Sequence, residues 1–285
     1  MKLRDLRPKR VGADLRGVCQ LGSNVNQNEP EVEAYITGLT TPLSSTEIGL
    51  LNTLAASLKS GLGVTSLDQF FDYLNIRAGE TAEQSLRNFA KRAHDSTAVN
   101  SPTFTAGEGF TGNGTSSYID VDYIPSAGVN FQLNNASHGL YFRVLQVDGG
   151  RYNGCYSTAA DGGAYNRIII GSNGGEMSIP LNSADVRIVD TNTNGLYIVN
   201  RLSSSSIIVF RNYIKSTPIS STSSKRPNQK IVELARRTND GTVGFYNASQ
   251  ISFSFCAKGL TDAHEAVIVD AFEAYMDAKG KGVIA

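Results

Sequence analysis

Beyond Ser101-Pro102 the chain falls into short alternating runs separated by glycine-rich turns, and this rhythm restricts the possible architectures more than any other feature. The run Ser117 to Ile124 sets Ile119, Val121 and Tyr123 on one face and Tyr118, Asp120 and Asp122 on the other, the pattern of a half-buried strand. Comparable runs recur over 139–145, 166–170, 186–189, 195–202, 206–214, 230–234, 241–246 and 251–255. Turn sequences punctuate them: Asp148-Gly-Gly150, Asp161-Gly-Gly163, Asn173-Gly-Gly175, Asn192-Thr-Asn-Gly195 and Asn239-Asp-Gly241. About nine short strands at this spacing predict two packed antiparallel sheets rather than βαβ units. The absence of Trp and the equal numbers of Tyr and Phe, 12 each, fit a turn-rich β protein better than a helical bundle.

The N-terminal third reads differently. Residues 1–30 form a polar arm in which Lys2, Arg4, Arg7, Lys9, Arg10 and Arg16 outnumber Asp5 and Asp14. Such a segment has little to bury and orders on a partner. Residues 31–100 carry helical signals. Ser44-Ser-Thr-Glu47 is a capping box, followed by Ile48, Leu51, Leu54, Ala55 and Leu58 at helical spacing up to Gly61 and Gly63. A second helix is expected from Ser66, with Leu67, Phe70, Phe71 and Leu74 on one side. A third is expected from Thr81 through Ala93, with Leu86, Phe89 and Ala90 inward and Arg87, Lys91 and Arg92 outward. Residues 101–285 form the sandwich and close on one more helix. Thr261-Asp262 caps it, Val267, Ile268, Ala271, Phe272 and Tyr275 form its apolar stripe, and Asp262, Glu265, Asp270, Glu273 and Asp277 face outward. The basic stretch Arg201 to Arg237, whose single acid is Glu233, is a solvated surface or an ion-pair partner for that helix.

Charge and cysteine usage exclude several classes. Lys and Arg number 26 against 26 Asp and Glu, which leaves no electrostatic grip on nucleic acid or anionic lipid. No apolar run is long enough to insert in a membrane, and no apolar stretch follows the basic N-terminus to make a signal peptide. Cys19, Cys155 and Cys256 are too few and too dispersed for a disulfide framework or a metal knuckle, so reduced thiols are expected. The glycosylation sequons at Asn113, Asn135 and Asn247 therefore carry no information.

No motif carries chemistry of its own. Gly107-Glu-Gly-Phe-Thr-Gly112 imitates a phosphate loop but precedes a strand, so the glycines serve a tight strand entry and no cofactor is expected. Asp190-Thr-Asn-Thr-Asn-Gly195 imitates a calcium loop, yet its twelfth position is Arg201 instead of a bidentate acid, and it reads as a polar turn. His94, His138 and His264 stand apart without ligand spacing, so no metal is expected. Asp120 and Asp122 share a strand face about 7 Å apart, near the spacing of a two-carboxylate glycosidase. Nothing in the sequence separates their pKa values into acid and base, and no nucleophile elbow is present, so no catalytic residue is assigned.

Two blocks resemble a known family. Asn100-Ser-Pro-Thr-Phe-Thr-Ala, Gly109-Phe-Thr-Gly-Asn-Gly-Thr-Ser-Ser-Tyr-Ile-Asp120 and Tyr123-Ile-Pro-Ser126 are similar to the opening of concanavalin A-like (laminin G-like) sandwich domains in virion proteins of tailed bacteriophages. Phe245-Tyr-Asn-Ala-Ser, Ile251-Ser-Phe-Ser-Phe-Cys256 and Gly259-Leu-Thr-Asp262, with the helix ending Glu273-Ala-Tyr-Met-Asp-Ala-Lys-Gly280, resemble its last inner strand and terminal helix. The stretch from Tyr35 to Pro42 through Arg92 to Asp95 also resembles segments that precede such domains. The resemblance implies a mainly β, antiparallel jelly-roll sandwich displayed on or built into a virion. The Glu-x-Asp-x-x-Glu motif of the family's glucanase branch is missing, so no enzyme activity is implied.

The expectation that follows is a non-enzymatic structural protein of a tailed phage, a tail or capsid appendage made in the host cytoplasm and housed in the virion. Its partners are other virion proteins and copies of itself. The alternative is a carbohydrate-binding adhesin that meets a host surface glycan through loops such as Tyr152 to Tyr165 or Asp190 to Gly195.

Overall fold

The computed structural model describes residues 28–146, 152–156, 164–172, 176–189 and 193–285. Most of the arm, the middle of the 152–165 loop and residues 190–192 lie outside them. Alternation folds as expected, into two mainly antiparallel sheets stacked face to face. The first sheet is centred on three long strands, Gly195–Arg201, Ala136–Val144 and Gln250–Ala257, in that spatial order. The second runs from Arg187–Val189 through Glu176–Ser178, Tyr165–Ser172, Tyr152–Tyr156, Val232–Glu233 and Tyr118–Asp120 to Thr97–Val99. Among the described pairings only Arg236–Arg237 beside Tyr152–Tyr156 is parallel. Between the sheets lie Ile119, Val121, Tyr123, Leu140, Phe142, Tyr197, Val199 and Ile251.

A third layer covers the other face of the first sheet. Helices α1 (Pro30–Ile36), α2 (Ser45–Leu62), α3 (Ala82–Ser85) and α4 (Asp262–Ala278) precede and follow the strands. Leu51, Leu54 and Leu58 of α2 and Ile268, Phe272 and Tyr275 of α4 meet Tyr141, Ile198, Phe210, Phe253 and Phe255 of the sheet. Phe253 and Phe272 stack with ring centroids 4.2 Å apart. The first sheet is thus buried on both faces, and every residue of Gln250–Ala257 is buried. Ser44 caps α2 by accepting from Glu47 N, and Gly63 ends it in the left-handed region at φ 66°. The reciprocal half of the capping box is absent. Glu47 is instead buried against Gln84, Tyr275 and Lys279.

The helix expected from Ser66 is a single 3-10 turn, Leu67–Gln69, followed by a strand, Phe71–Ile76. That strand pairs with Gln250–Ala257 from Phe71 opposite Ala257 to Ile76 opposite Phe253. Its side chains divide between the two cores: Phe71, Leu74 and Ile76 join the helical layer, and Tyr73 joins the sandwich. Burial on both faces overrides helical spacing here. The third expected helix shrinks to α3, because Asn88 turns its side chain onto the backbone. Its Oδ1 accepts from Leu74 N and Ala90 N, and its amide donates to Ala93 O. Arg87, expected outward, is buried with its guanidinium on the carbonyls of Tyr35, Thr37 and Gly38. Residue 100 falls between Thr97–Val99, the edge of the second sheet, and Thr103–Thr105 of the first.

The outer face of α4 is less acidic than its spacing predicts. Glu273 is buried and accepts from Tyr141 OH and Ile284 N. Glu265 is 5% exposed, and its Oε1 has no hydrogen-bond partner.

Candidate functional site

The outward face of Tyr118–Asp120 is where side chains of chemical interest converge. This strand pairs with Thr97–Val99 on one side and Val232–Glu233 on the other, so Ile119 points into the core while Tyr118 and Asp120 turn outward. The segment after Glu233 returns over the same face. Arg237 Nη2 meets Asp120 Oδ2 at 2.7 Å, while its other nitrogens donate to the carbonyls of Lys230 and Gly241. Lys230 Nζ pairs with Asp122 Oδ1 at 2.6 Å. The turn Asn239-Asp-Gly241 forms as expected, with Gly241 at φ 86° and Asp240 accepting from Thr242 N.

The two aspartates expected on one face are therefore both there, each held by a base from the 230–237 segment. Their acidities diverge. Burial raises the Asp120 carboxyl against the opposing pull of Arg237, while the hydrogen bond from the Lys230 ammonium lowers Asp122. Asp120 Oδ1 is buried with no hydrogen-bond partner.

Beside this pair lies an aromatic surface the sequence did not single out. Tyr118 and Tyr246 have ring centroids 6.3 Å apart. Phe245 is 49% exposed, and the Arg236 guanidinium carbon lies 3.6 Å from its ring centroid. Phe245 also takes a left-handed backbone at φ 56°, which few residues without a short polar side chain adopt. Strand pairing brings Tyr118 to residues that lie far along the chain. The only local signal was the aromatic pair Phe245-Tyr246 behind a turn.

The remaining candidates scatter. Gly109, at φ 120°, lies where a Cβ would fall 2.0 Å from the Ile251 carbonyl oxygen, so the glycine-rich run serves close strand approach as expected. Arg201, the twelfth position of the calcium-like loop, is fully buried and donates to the carbonyls of Leu181, Ser203 and Ser221. His94 contacts the Asp122 carbonyl, and His264 helps cap α4. His138 is buried opposite Cys256 in the next strand, and its Nδ1 lies 2.9 Å from Asn166 Oδ1. Burial pushes its pKa down to about 4, so the ring is neutral. Among the described residues no His, Cys, Asp and Glu group is arranged to hold a metal, and no helix is long and apolar enough to cross a membrane.

No family model and no curated protein matches the chain. Solved structures with similar folds include a mutant of Trypanosoma rangeli sialidase displaying trans-sialidase activity, at 8% identity and TM-score 0.52 over 83% of this chain and 40% of that one. Another is the binding domain of Paraclostridial Mosquitocidal Protein 1, at 11% identity and TM-score 0.49 over 74% of this chain and 53% of that one. A third is the Ruminococcus gnavus IT-sialidase CBM40 bound to α2,3-sialyllactose, at 11% identity and TM-score 0.37 over 48% and 83%. The chain spans about half the length of the toxin binding domains it matches. At these identities the likeness is one of fold, a β-sandwich.

Proposed function

We propose that this protein is a non-enzymatic, carbohydrate-binding adhesin whose second sheet meets a host-surface glycan, carried on the particle of a tailed phage. The observation that carries the reading is Phe245. An aromatic ring half in solvent, on a left-handed backbone and backed by the Arg236 guanidinium, costs stability and gains little from burial. Such strain persists where the surroundings hold it for a purpose. A flat ring with a cation behind it and two tyrosines near it suits the apolar face of a pyranose, with hydroxyls reaching the arginine and phenol groups. The engaged state of Asp120 and Asp122 argues for binding without hydrolysis. The phage setting, with other virion proteins as neighbours, rests on the sequence blocks of residues 100–126 and 245–280.

Labelled full-length protein is expected to bind host cells saturably and to lose that binding when surface polysaccharide is stripped. Phe245→Ala should bind about tenfold more weakly, the equivalent of about 1.4 kcal/mol, with an unchanged melting temperature. An absence of saturable binding to intact cells and to their isolated polysaccharide overturns the proposal.

A further inference from the structure

The edge of the first sheet and the adjoining side of α4 form a second surface, remote in character from the aromatic one. Ile214–Lys215 is the last strand of that sheet among the described residues. Tyr213 and Ile214 beside it are 51% and 60% exposed. The same hairpin touches α4 through Tyr213 OH on Asp270 Oδ1 and Lys215 Nζ on Asp262 Oδ1, both at 2.6 Å. Between these two acids in sequence lies Glu265, 95% buried by its 5% exposure, with Oε1 meeting no donor. Lys215 thus pairs with Asp262 alone, Asp270 takes only the Tyr213 hydroxyl among the described contacts, and Glu265 Oε1 takes none, next to an open strand edge and two exposed apolar side chains. A buried carboxylate without a donor is a costly feature that a cationic partner relieves.

The chain carries a segment of complementary chemistry. Residues 1–16 place Lys2, Arg4, Arg7, Lys9, Arg10 and Arg16 among Leu3, Leu6, Val11 and Leu15, with Asp5 and Asp14 as the only acids. The described chain begins at Asn28, whose side chain bonds Asn52 of α2, and Glu29 pairs with Lys59. Asn52 and Lys59 occupy the face of α2 opposite Leu50, Leu54 and Ser57, which face Ala271, Ala274 and Tyr275 of α4. Asn28 and Glu29 therefore lie on the face of α2 opposite its contact with α4. We propose that residues 1–16 of one copy dock on the surface formed by Tyr213, Ile214, Asp262, Glu265 and Asp270 of the next, a head-to-tail contact that builds a ring or stack. Leucines cover the exposed apolar pair and arginines answer the acids.

The test is sedimentation velocity of the full chain over a range of concentrations. The proposal expects concentration-dependent self-association that weakens with added salt, because the contact is charged and exposed. Arg4→Glu, Arg7→Glu and Arg10→Glu together should weaken association about tenfold or more. Asp262→Arg with Asp270→Arg should weaken it similarly, and the combined five-fold variant should regain it. A chain that stays monomeric, association indifferent to the arm substitutions, or a combined variant without recovery each overturns the proposal. So does cross-linking that joins the arm to α4 only within one chain.

Discussion

The two cores that flank the first sheet are built from the same strands yet differ in chemistry. On the helical side, Phe71, Phe253, Phe255 and Phe272 meet in edge and stacked contacts with aliphatic neighbours. On the sandwich side, the same strands present Asn75, Arg77, Ser254 and Cys256, and polar groups are buried in pairs. The Arg77 guanidinium, fully buried, donates through Nε and Nη2 to the Glu233 carboxylate at 2.9 Å and through its other bonds to Ser85 O and Ser96 Oγ. Asp72 accepts from Tyr123 OH and from the backbone amides of Val129, Asn130 and Phe131. The helical core supplies burial, which any apolar residue of suitable volume provides. The sandwich core supplies register, because each charge has one place to go, and Arg77 and Asp72 tie the N-terminal strand to the second sheet.

The largest expected effect breaks the link between the two cores altogether. A chain beginning at Ser101 lacks Phe71–Ile76, α2 and Arg77. It leaves the edge of Gln250–Ala257 open, one face of the first sheet bare and Glu233 buried without its cation. It should fail to show cooperative thermal unfolding by circular dichroism; a sharp two-state transition would mean the sandwich stands alone.

A smaller effect separates burial from register. Glu233→Ala should cost about 3–5 kcal/mol, because Arg77 is left charged and unpaired in the interior. Replacing both partners by apolar residues, Arg77→Met with Glu233→Leu, should cost clearly less in urea unfolding. Equal losses for the single and double variants would show that the pair contributes packing alone.

The smallest effect concerns pH, where the two sides of the sheet titrate in opposite senses. On α4, Glu265 has its pKa pushed up to about 7 by burial, with Asp262 and Asp270 adding to it, from an ordinary 4.5. The folded chain holds this proton more tightly, so the contribution to stability is full below 4.5 and is lost as pH rises through about 7. His138 in the sandwich has its pKa pushed down to about 4 from 6.5, so its contribution is present above 6.5 and lost as pH falls through about 4. Glu265→Gln is expected to raise the melting temperature at pH 8 and to change it little at pH 4.5. A shift of the same size at both values would remove burial of the charge as the cause.

Local patterns exposed much of this molecule in advance. The inward set Ile119, Val121 and Tyr123, the Ser44 and Thr261 caps, and the Asn239-Asp-Gly241 turn follow from rules that act within a few residues. The candidate surface was half legible: Asp120 and Asp122 shared a visible face, but their partners Arg237 and Lys230 and the Tyr118–Tyr246 pair are contacts between segments distant in sequence. Glu265 and Glu273 looked like solvent-facing acids because helical spacing cannot say what packs against a face.

By itself, then, the sequence determined the alternation, the turns and the helix ends, since each depends on neighbours along the chain and on backbone geometry. Tertiary structure alone decided that Phe71–Ile76 is a strand, that Arg77 and Glu233 meet in the interior, and that Tyr118 and Tyr246 come together. Those outcomes depend on which distant segment covers a given face. The free energy of burying both faces of a six-residue segment outweighs its local helical preference.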